Sequence, residues 1–133
     1  MRKIALIIAS TALLAAGGTL QARERLTGEQ QLAKLLEGRV AEKPVSCIPL
    51  SRTSDQQVID KTAIVYDHGN VIYVNRPRYP ESLDSDDVMV VDIHGSELCR
   101  LDTVRMHDRS QFFFSGFVGL EDFVPYRRVA HAN

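Results

Sequence analysis

Two arginines and a tyrosine placed between prolines are the residues of this chain whose types and spacing best suit ligand binding. They lie in NRPRYP, residues 75–80, directly after the apolar run VIYV. Each proline restricts the residue before it to an extended conformation and lacks an amide hydrogen, so the segment is stiff and ends the preceding strand. Asn75, Arg76, Arg78 and Tyr79 are therefore predicted to bind an anionic group or a saccharide with little loss of conformational freedom.

The same segment also has a purely structural interpretation. In it, the two arginines form surface ion pairs with Glu81 and with the acidic run from Asp84 to Asp87, and such pairs contribute little energy. The acidic run lacks the spaced oxygen ligands, the glycine and the distal glutamate of an EF-hand loop, so no metal site is predicted there. Both interpretations of the loop stay open on sequence grounds.

A second constellation suits acid–base chemistry. His94 follows Asp92 by two residues in VVDIHG, so in a strand both side chains lie on one face and the carboxylate can orient the imidazole. A small envelope hydrolase using this pair is the alternative function. The sequence contains no GxSxG, HExxH or phosphate-binding glycine loop, the motifs of common hydrolase and nucleotide-binding classes. We therefore expect a non-enzymatic protein without a cofactor.

The N-terminal segment has the three parts of a secretory signal peptide. Arg2 and Lys3 precede an uncharged apolar stretch, residues 4–16, which is followed by small residues up to Ala22. Cleavage is expected after Ala22, and the alternative site is after Gly18. An uncleaved anchor is the other alternative, because the uncharged stretch 4–20 reaches the lower limit of about 17 residues for a membrane-spanning helix.

Removal of residues 1–22 leaves a single domain, residues 23–133, which is expected in the periplasm or outside the cell and without a stable membrane span. Without Arg2 and Lys3 the formal net charge changes from −1 to −3. A mildly acidic chain has no general attraction to nucleic acid or anionic lipid. The expected partner is therefore an envelope protein or an anionic or saccharide ligand, and not a nucleic acid.

Export determines how Cys47 and Cys99 are interpreted. They are the two cysteines of the chain, and an even number of cysteines outside the cytoplasm indicates a disulfide bond. A metal-binding or reactive pair is disfavoured because neither a CxxC spacing nor a histidine at zinc-ligand spacing accompanies them. A bond between them is expected to stabilise the domain by about 4 kcal/mol through restriction of the unfolded chain.

The elements that would position these residues are one helix and several short strands. Leucines recur at helical spacing, Thr27 and Gln30 form a capping-box pattern, and Gly38 follows, which predicts a helix over about residues 28–37. Beyond Val45, short runs rich in β-branched residues are bounded by turn residues. The fold class is thus mainly β, a small barrel or sandwich of about five to seven short strands with one N-terminal α-helix. The predicted runs are 45–50, 56–59, 62–66, 71–75, 88–93 and 98–104.

The clearest local element is a hairpin in TAIVYDHGNVIYVN. Gly69 can adopt the positive φ that the turn needs, so residues 62–67 are predicted to pair with residues 70–75. Both arms are apolar at nearly every position, which indicates burial on both faces of the hairpin.

All five phenylalanines lie between residues 112 and 123, in QFFFSGFVGLEDFVPY. Because phenylalanine buries a large apolar area, the segment is predicted to fill the core of the barrel or sandwich. The alternative is an exposed aromatic patch for a partner or a membrane surface. The tail from Arg127 to Asn133 is expected to be loose.

Several of these pieces occur together in one order: SCIPL, IYVNRP, Leu98-Cys99 with Asp102, and GFVGLEDFVPY. The pattern resembles a family of small exported bacterial proteins of unknown function that share a C-x-PL start, a YVNRP centre, a second cysteine after a leucine and an FVPY ending. The resemblance covers most of residues 45–126 and implies that both cysteines belong to the scaffold. We expect a non-enzymatic binding or interaction module of the periplasm or cell envelope, which meets its partner at the loop 75–80.

Overall fold

The computed structural model describes residues 25–53, 55–93 and 95–129, so the predicted signal peptide and the last four residues lie outside the described part of the chain. Helix α1 spans Gly28–Leu35. Thr27 is its N-cap, and its side chain and that of Gln30 each hydrogen-bond the backbone of the other, so the capping box is confirmed. The helix ends two residues earlier than predicted. None of the helices within the described residues is long and apolar enough to cross a membrane.

The β structure is sandwich-like and forms three sheets. The strands are β1 Arg39–Ala41, β2 Cys47–Pro49, β3 Asp55–Ile59, β4 Ala63–Asp67, β5 Val71–Asn75, β6 Asp87–Val91, β7 Glu97–Cys99, β8 Thr103–Asp108, β9 Phe114–Gly119 and β10 Phe123–Arg128. The first sheet is five-stranded and antiparallel in the order β1-β10-β5-β4-β3, the second is a two-stranded ribbon of β2 and β7, and the third is three-stranded in the order β6-β8-β9. No closed barrel forms within the described residues.

The mainly β fold is confirmed, but the predicted number of strands is too low, because ten form within the described residues. The run 98–104 is divided between β7 and β8 by a turn in which the carboxylate of Asp102 accepts a hydrogen bond from the amide of Cys99 at 2.7 Å. β1, β9 and β10 were not among the predicted runs, and β10 extends to Arg128, into the segment expected to be a loose tail.

The predicted hairpin is confirmed as β4 and β5, and both of its faces are buried. On one face, Ile64 and Tyr66 belong to the larger core, which lies between the five-stranded sheet and the other two sheets. On the other face, Ala63 and Val65 pack with Leu32 of α1 in a second, smaller core. The apolar residues of β4 therefore alternate between two cores, which explains why its sequence has no polar face.

The disulfide bond between Cys47 and Cys99 is present, with an S–S distance of 2.04 Å. The two cysteines are directly opposite in the β2–β7 ribbon, and the next pair, Ile48 and Leu98, is fully buried. The bond therefore holds together a ribbon of only three residues per strand that covers one end of the larger core. Such a bond is compatible with an oxidising compartment outside the cytoplasm.

Candidate functional site

The loop 75–80 begins with a residue that no ligand reaches. Asn75 is fully buried at the end of β5. Its side-chain amide group donates a hydrogen bond to the carbonyl oxygen of Glu121, and its side-chain oxygen accepts one from the amide of Glu121 at 3.3 Å. Both polar groups of Asn75 are therefore used to join the end of β5 to the connection between β9 and β10.

The two arginines of the loop are exposed, but each is held by a carboxylate from a distant part of the chain. Arg76 binds both carboxylate oxygens of Glu29 in α1, at 2.6 and 2.8 Å, and Arg78 contacts Glu121 at 3.0 Å. The hydrogen bond from Arg76 lowers the pKa of Glu29. The structural interpretation of the loop was therefore wrong about the partners, which were expected at Glu81 and in the acidic run.

Tyr79 differs from its neighbours because its side chain is largely exposed. Its carbonyl oxygen accepts hydrogen bonds from the amide and hydroxyl of Ser82, which begin a single 3₁₀ turn at Pro80. An anionic ligand at this loop would have to compete with the carboxylates that already neutralise Arg76 and Arg78. The loop thus lacks a free cation in its present arrangement within the described residues.

The structure describes only one of the two residues of the hydrolase alternative. Asp92 pairs with Arg105 at 2.8 Å, and His94 lies outside the described residues. His68 Nε2 lies 3.0 Å from the hydroxyl of Thr53, and His107 Nδ1 lies 3.3 Å from a backbone carbonyl. Neither described imidazole is engaged with an acid in these contacts.

A cluster of exposed aromatic rings lies on the β8–β9 hairpin instead. The prediction that the phenylalanines fill the core is wrong for four of the five, because only Phe123 is buried. The other four are between 52% and 67% exposed. We call this cluster the aromatic surface; its members are His107, Phe112, Phe113, Phe114 and Phe117.

Four of the five rings of the aromatic surface contact one another in a row, from Phe112 through His107 and Phe114 to Phe117. Phe112 stacks on His107 with a centroid distance of 4.7 Å, and Phe114 meets the edge of Phe117 at 4.8 Å. The second pair is possible because the β8–β9 register shifts by one residue next to His107, where Gly116 has a φ of +152°. Two residues spaced three apart would otherwise lie on opposite faces of a strand, and the bulge brings them to the same face.

The turn that carries the first two phenylalanines is well anchored. The carboxylate of Asp108 accepts hydrogen bonds from the amides of Ser110 and Gln111 at 2.8 and 2.9 Å and from the hydroxyl of Ser110, and these bonds lower its pKa. Phe112 has a φ of +57°, an unfavourable value for a residue with a side chain, and its amide donates to the carbonyl oxygen of Asp108 at 2.8 Å. The rings are thus presented on a turn with little freedom to reorder.

The aromatic surface borders a strand edge with unusual composition. β9 is a terminal strand of its sheet, and within the described residues it pairs only with β8. The other terminal strands of the two larger sheets each contain a charged residue, namely Arg39 in β1, Asp55 in β3 and Asp87 in β6. β9 contains none, and the whole segment 110–120 is uncharged. Charged residues and β-bulges both protect exposed edges from pairing with other chains; β9 has a bulge but no charged residue.

A polar cavity of about 310 Å³ lies elsewhere, on the five-stranded sheet. Its lining includes Arg52, His68, Tyr73 and Arg127. His68 meets the edge of Tyr73 at 4.8 Å, and burial lowers the pKa of its imidazole. Arg127 is paired with Glu42, whereas Arg52 forms no ion pair with any residue of the described part of the chain.

Neither a protein-family model, nor a curated protein, nor a solved structure matches this chain. The aromatic surface was the weaker alternative for the phenylalanine run on sequence grounds. The sequence signal that favours it is the absence of charge and of proline over 110–120. Such a composition is typical of a strand that can pair with another chain at its edge.

Proposed function

We propose that this protein is a non-enzymatic interaction module of the periplasm or cell envelope, which acts after export. The observation that carries the proposal is the aromatic surface next to the uncharged edge of β9. Export is supported by the signal-like N-terminus and by a disulfide bond that is compatible with an oxidising compartment. The resemblance to small exported bacterial proteins points the same way.

The size of the aromatic surface supports a role in binding. Four half-exposed phenylalanine rings leave roughly 350 to 600 Å² of aromatic area in water, and patches of about that size on soluble domains are often functional. Exposed phenylalanine also disfavours solubility unless a partner covers it. The rings lie on an anchored turn and a bulged strand, so little conformational entropy is lost when a partner binds.

The partner that fits this surface is an uncharged, extended strand of another polypeptide chain. The free edge of β9 offers backbone hydrogen-bonding groups to such a strand. Phe114 and Phe117 lie beside that edge, where every second side chain of the added strand would contact them. A charged ligand is a poor fit, because the segment 110–120 carries no charge to pair with it. This assignment moves the proposed partner surface away from the loop 75–80.

The test is a site-specific photo-crosslinking experiment in cells that export the full chain. A photoreactive phenylalanine analogue replaces Phe117 in one variant and Tyr79 in a second. Tyr79 is a matched control, since it is an aromatic residue of similar exposure on the loop first predicted to bind. We expect a protein adduct from position 117 whose crosslinked peptide is an uncharged strand segment. Adducts from position 79 and none from position 117 would refute the proposal.

A second candidate function is binding of a small anion in the cavity beside His68. The observation that favours it is the guanidinium of Arg52, which forms no ion pair within the described residues, beside an imidazole whose pKa is lowered by burial. The test is a titration with inorganic phosphate, followed by NMR shifts of the residues that line the cavity. Arg52→Gln is expected to abolish the shifts, whereas Arg78→Gln on the loop is expected to leave them unchanged. Equal shifts in both variants would exclude the cavity.

A further inference from the structure

The partner strand for the edge of β9 is identified by the symmetry that its composition permits. When a strand pairs with a second copy of itself across a two-fold axis, the pairing is antiparallel, and charged side chains on an edge strand disfavour such pairing. β1, β3 and β6 each carry a charged residue, and β9 carries none. Among the terminal strands of the two larger sheets, only the edge of β9 is suited to self-pairing.

We propose that the mature chain forms a symmetric dimer in which β9 pairs with β9 of a second copy, an inference that rests on the proposed function. The two three-stranded sheets then become one sheet of six strands. In the register that places Phe114 of one copy opposite Phe117 of the other, both residues lie on the same face of the sheet, because the bulge at Gly116 already aligns them within each chain. Two such aromatic pairs form, one on each side of the axis.

The area agrees with what a stable dimer needs. Specific interfaces bury about 800 Å² on each partner, and the aromatic surface alone supplies roughly half of that or more. The outer faces of β6 and β8 continue the same side of the sheet, with half-buried Val88 and Val90 on β6 opposite His107 and Arg105. The salt bridge between Arg105 and Asp92 leaves the charges on this face paired.

Only a short segment of β9 has an edge that is free for pairing with a second copy. The carbonyl oxygen of Gly119 accepts a hydrogen bond from the amide of Arg78 at 3.4 Å, so the end of β9 is already engaged by the loop 75–80. The part of β9 that remains for a second copy is Phe114 to Val118, the part centred on the bulge. In a dimer of this kind, one register therefore pairs the free part of β9 with its copy and also brings the aromatic rings of the two copies together.

The experiment is sedimentation equilibrium on the purified mature chain with its disulfide intact, over about 1 to 200 μM. Phe117→Ser removes a central ring, and Ser115→Lys adds a charge at an exposed position of the edge. Gln56→Lys is the matched control, because it adds the same charge to an exposed position of β3, another terminal strand. We expect a dimer whose dissociation constant rises about thirtyfold or more in Phe117→Ser and Ser115→Lys and stays unchanged in Gln56→Lys.

Contacts between copies are then located by NMR on a mixed sample of labelled and unlabelled chains. Intermolecular contacts between the rings of Phe114 and Phe117 are expected. A mature chain that stays monomeric at 200 μM, or a dimer that both edge variants leave intact, overturns the self-pairing. If the chain is monomeric but position 117 still crosslinks to another protein, the proposed function stands without the dimer; if position 117 contacts no protein at all, both fail.

Discussion

The side chain of Asn75 allows the clearest separation between a structural and a binding role for the loop 75–80. It is fully buried, and both halves of its amide group hydrogen-bond the backbone of Glu121. Asn75→Ala removes both bonds and leaves the amide and carbonyl groups of Glu121 without these partners. Each lost bond is worth about 1 kcal/mol, and a buried backbone group left unpaired costs about 1 to 3 kcal/mol. Since Glu121 is partly exposed to water, we expect a loss of about 2 to 4 kcal/mol in the free energy of unfolding.

The measurement is urea-induced unfolding followed by circular dichroism, at several pH values. Asn70→Ala is the matched control, because Asn70 is an exposed asparagine in the turn between β4 and β5, and it should change stability by less than about 0.5 kcal/mol. Asn75→Asp keeps the acceptor but loses the donor, and its carboxylate faces the carbonyl oxygen of Glu121. Burial and that oxygen both raise the pKa of the new carboxyl group above its unfolded value.

The raised pKa of the new carboxyl group in the Asn75→Asp protein determines how its stability depends on pH. A group whose pKa is higher in the folded state binds its proton more tightly there, so its contribution is present at low pH and lost as the pH rises. Asn75→Asp should therefore approach the stability of the parent protein below about pH 4 and fall well below it at pH 7. An Asn75→Ala protein as stable as Asn70→Ala would refute the buried position of this side chain and return it to the set of possible ligand contacts.

Three further changes test the scaffold. Reduction of the bond between Cys47 and Cys99, which are 52 residues apart, should lower the free energy of unfolding by about 4 kcal/mol in urea titrations with and without reductant; unchanged stability would mean that the ribbon holds without the bond. Gly28→Ala should destabilise the protein by about 1 to 3 kcal/mol in thermal unfolding, because the added Cβ would overlap the hydroxyl oxygen of Thr62, whereas a gain in stability would show that α1 moves freely. Tyr66→Phe should keep or raise the unfolding midpoint, since the buried hydroxyl of Tyr66 has no hydrogen-bond partner among the described residues; a loss above about 1 kcal/mol would reveal a partner.

The features that the sequence predicted correctly depend on short-range chemistry. The capping box of Thr27 and Gln30 involves residues three apart, and the turn at Gly69 needs only a positive φ, which is observed at +78°. The disulfide bond followed from the number of cysteines and from the predicted export. In each case the deciding interaction lies within a few residues, or only one pairing exists, so the rest of the fold was not needed to predict it.

The partners of Arg76 and Arg78 could not be predicted in this way. The sequence placed acids directly after the loop, whereas the observed partners, Glu29 and Glu121, are 47 and 43 residues distant along the chain. Their positions depend on where α1 packs on the sheet and on how the connection after β9 passes the end of β5. The periodicity of leucines in the helix predicts that it packs, but not against which strand.

The prediction that the phenylalanine run fills the core failed for a related reason, and this failure is informative about function. Hydrophobicity predicts that a side chain leaves water, but strand order decides whether the protein's own core or another chain receives it. β9 is the last strand of its sheet, and its bulge turns Phe114 and Phe117 to the face that no described element covers. Phe123, only six residues beyond Phe117, is fully buried against Tyr66 in the larger core.

The phenylalanines between residues 112 and 123 are thus divided between the surface and the core, and the dividing feature is the edge of a sheet. For a monomer, an aromatic edge strand without charge or proline is unfavourable, since it exposes both apolar area and unpaired backbone groups. One lysine in place of Ser115 would remove that hazard without touching the core. β9 keeps an uncharged edge while the other terminal strands of the two larger sheets carry charges, which is the arrangement expected if pairing at β9 is what the protein does and pairing elsewhere is what it avoids.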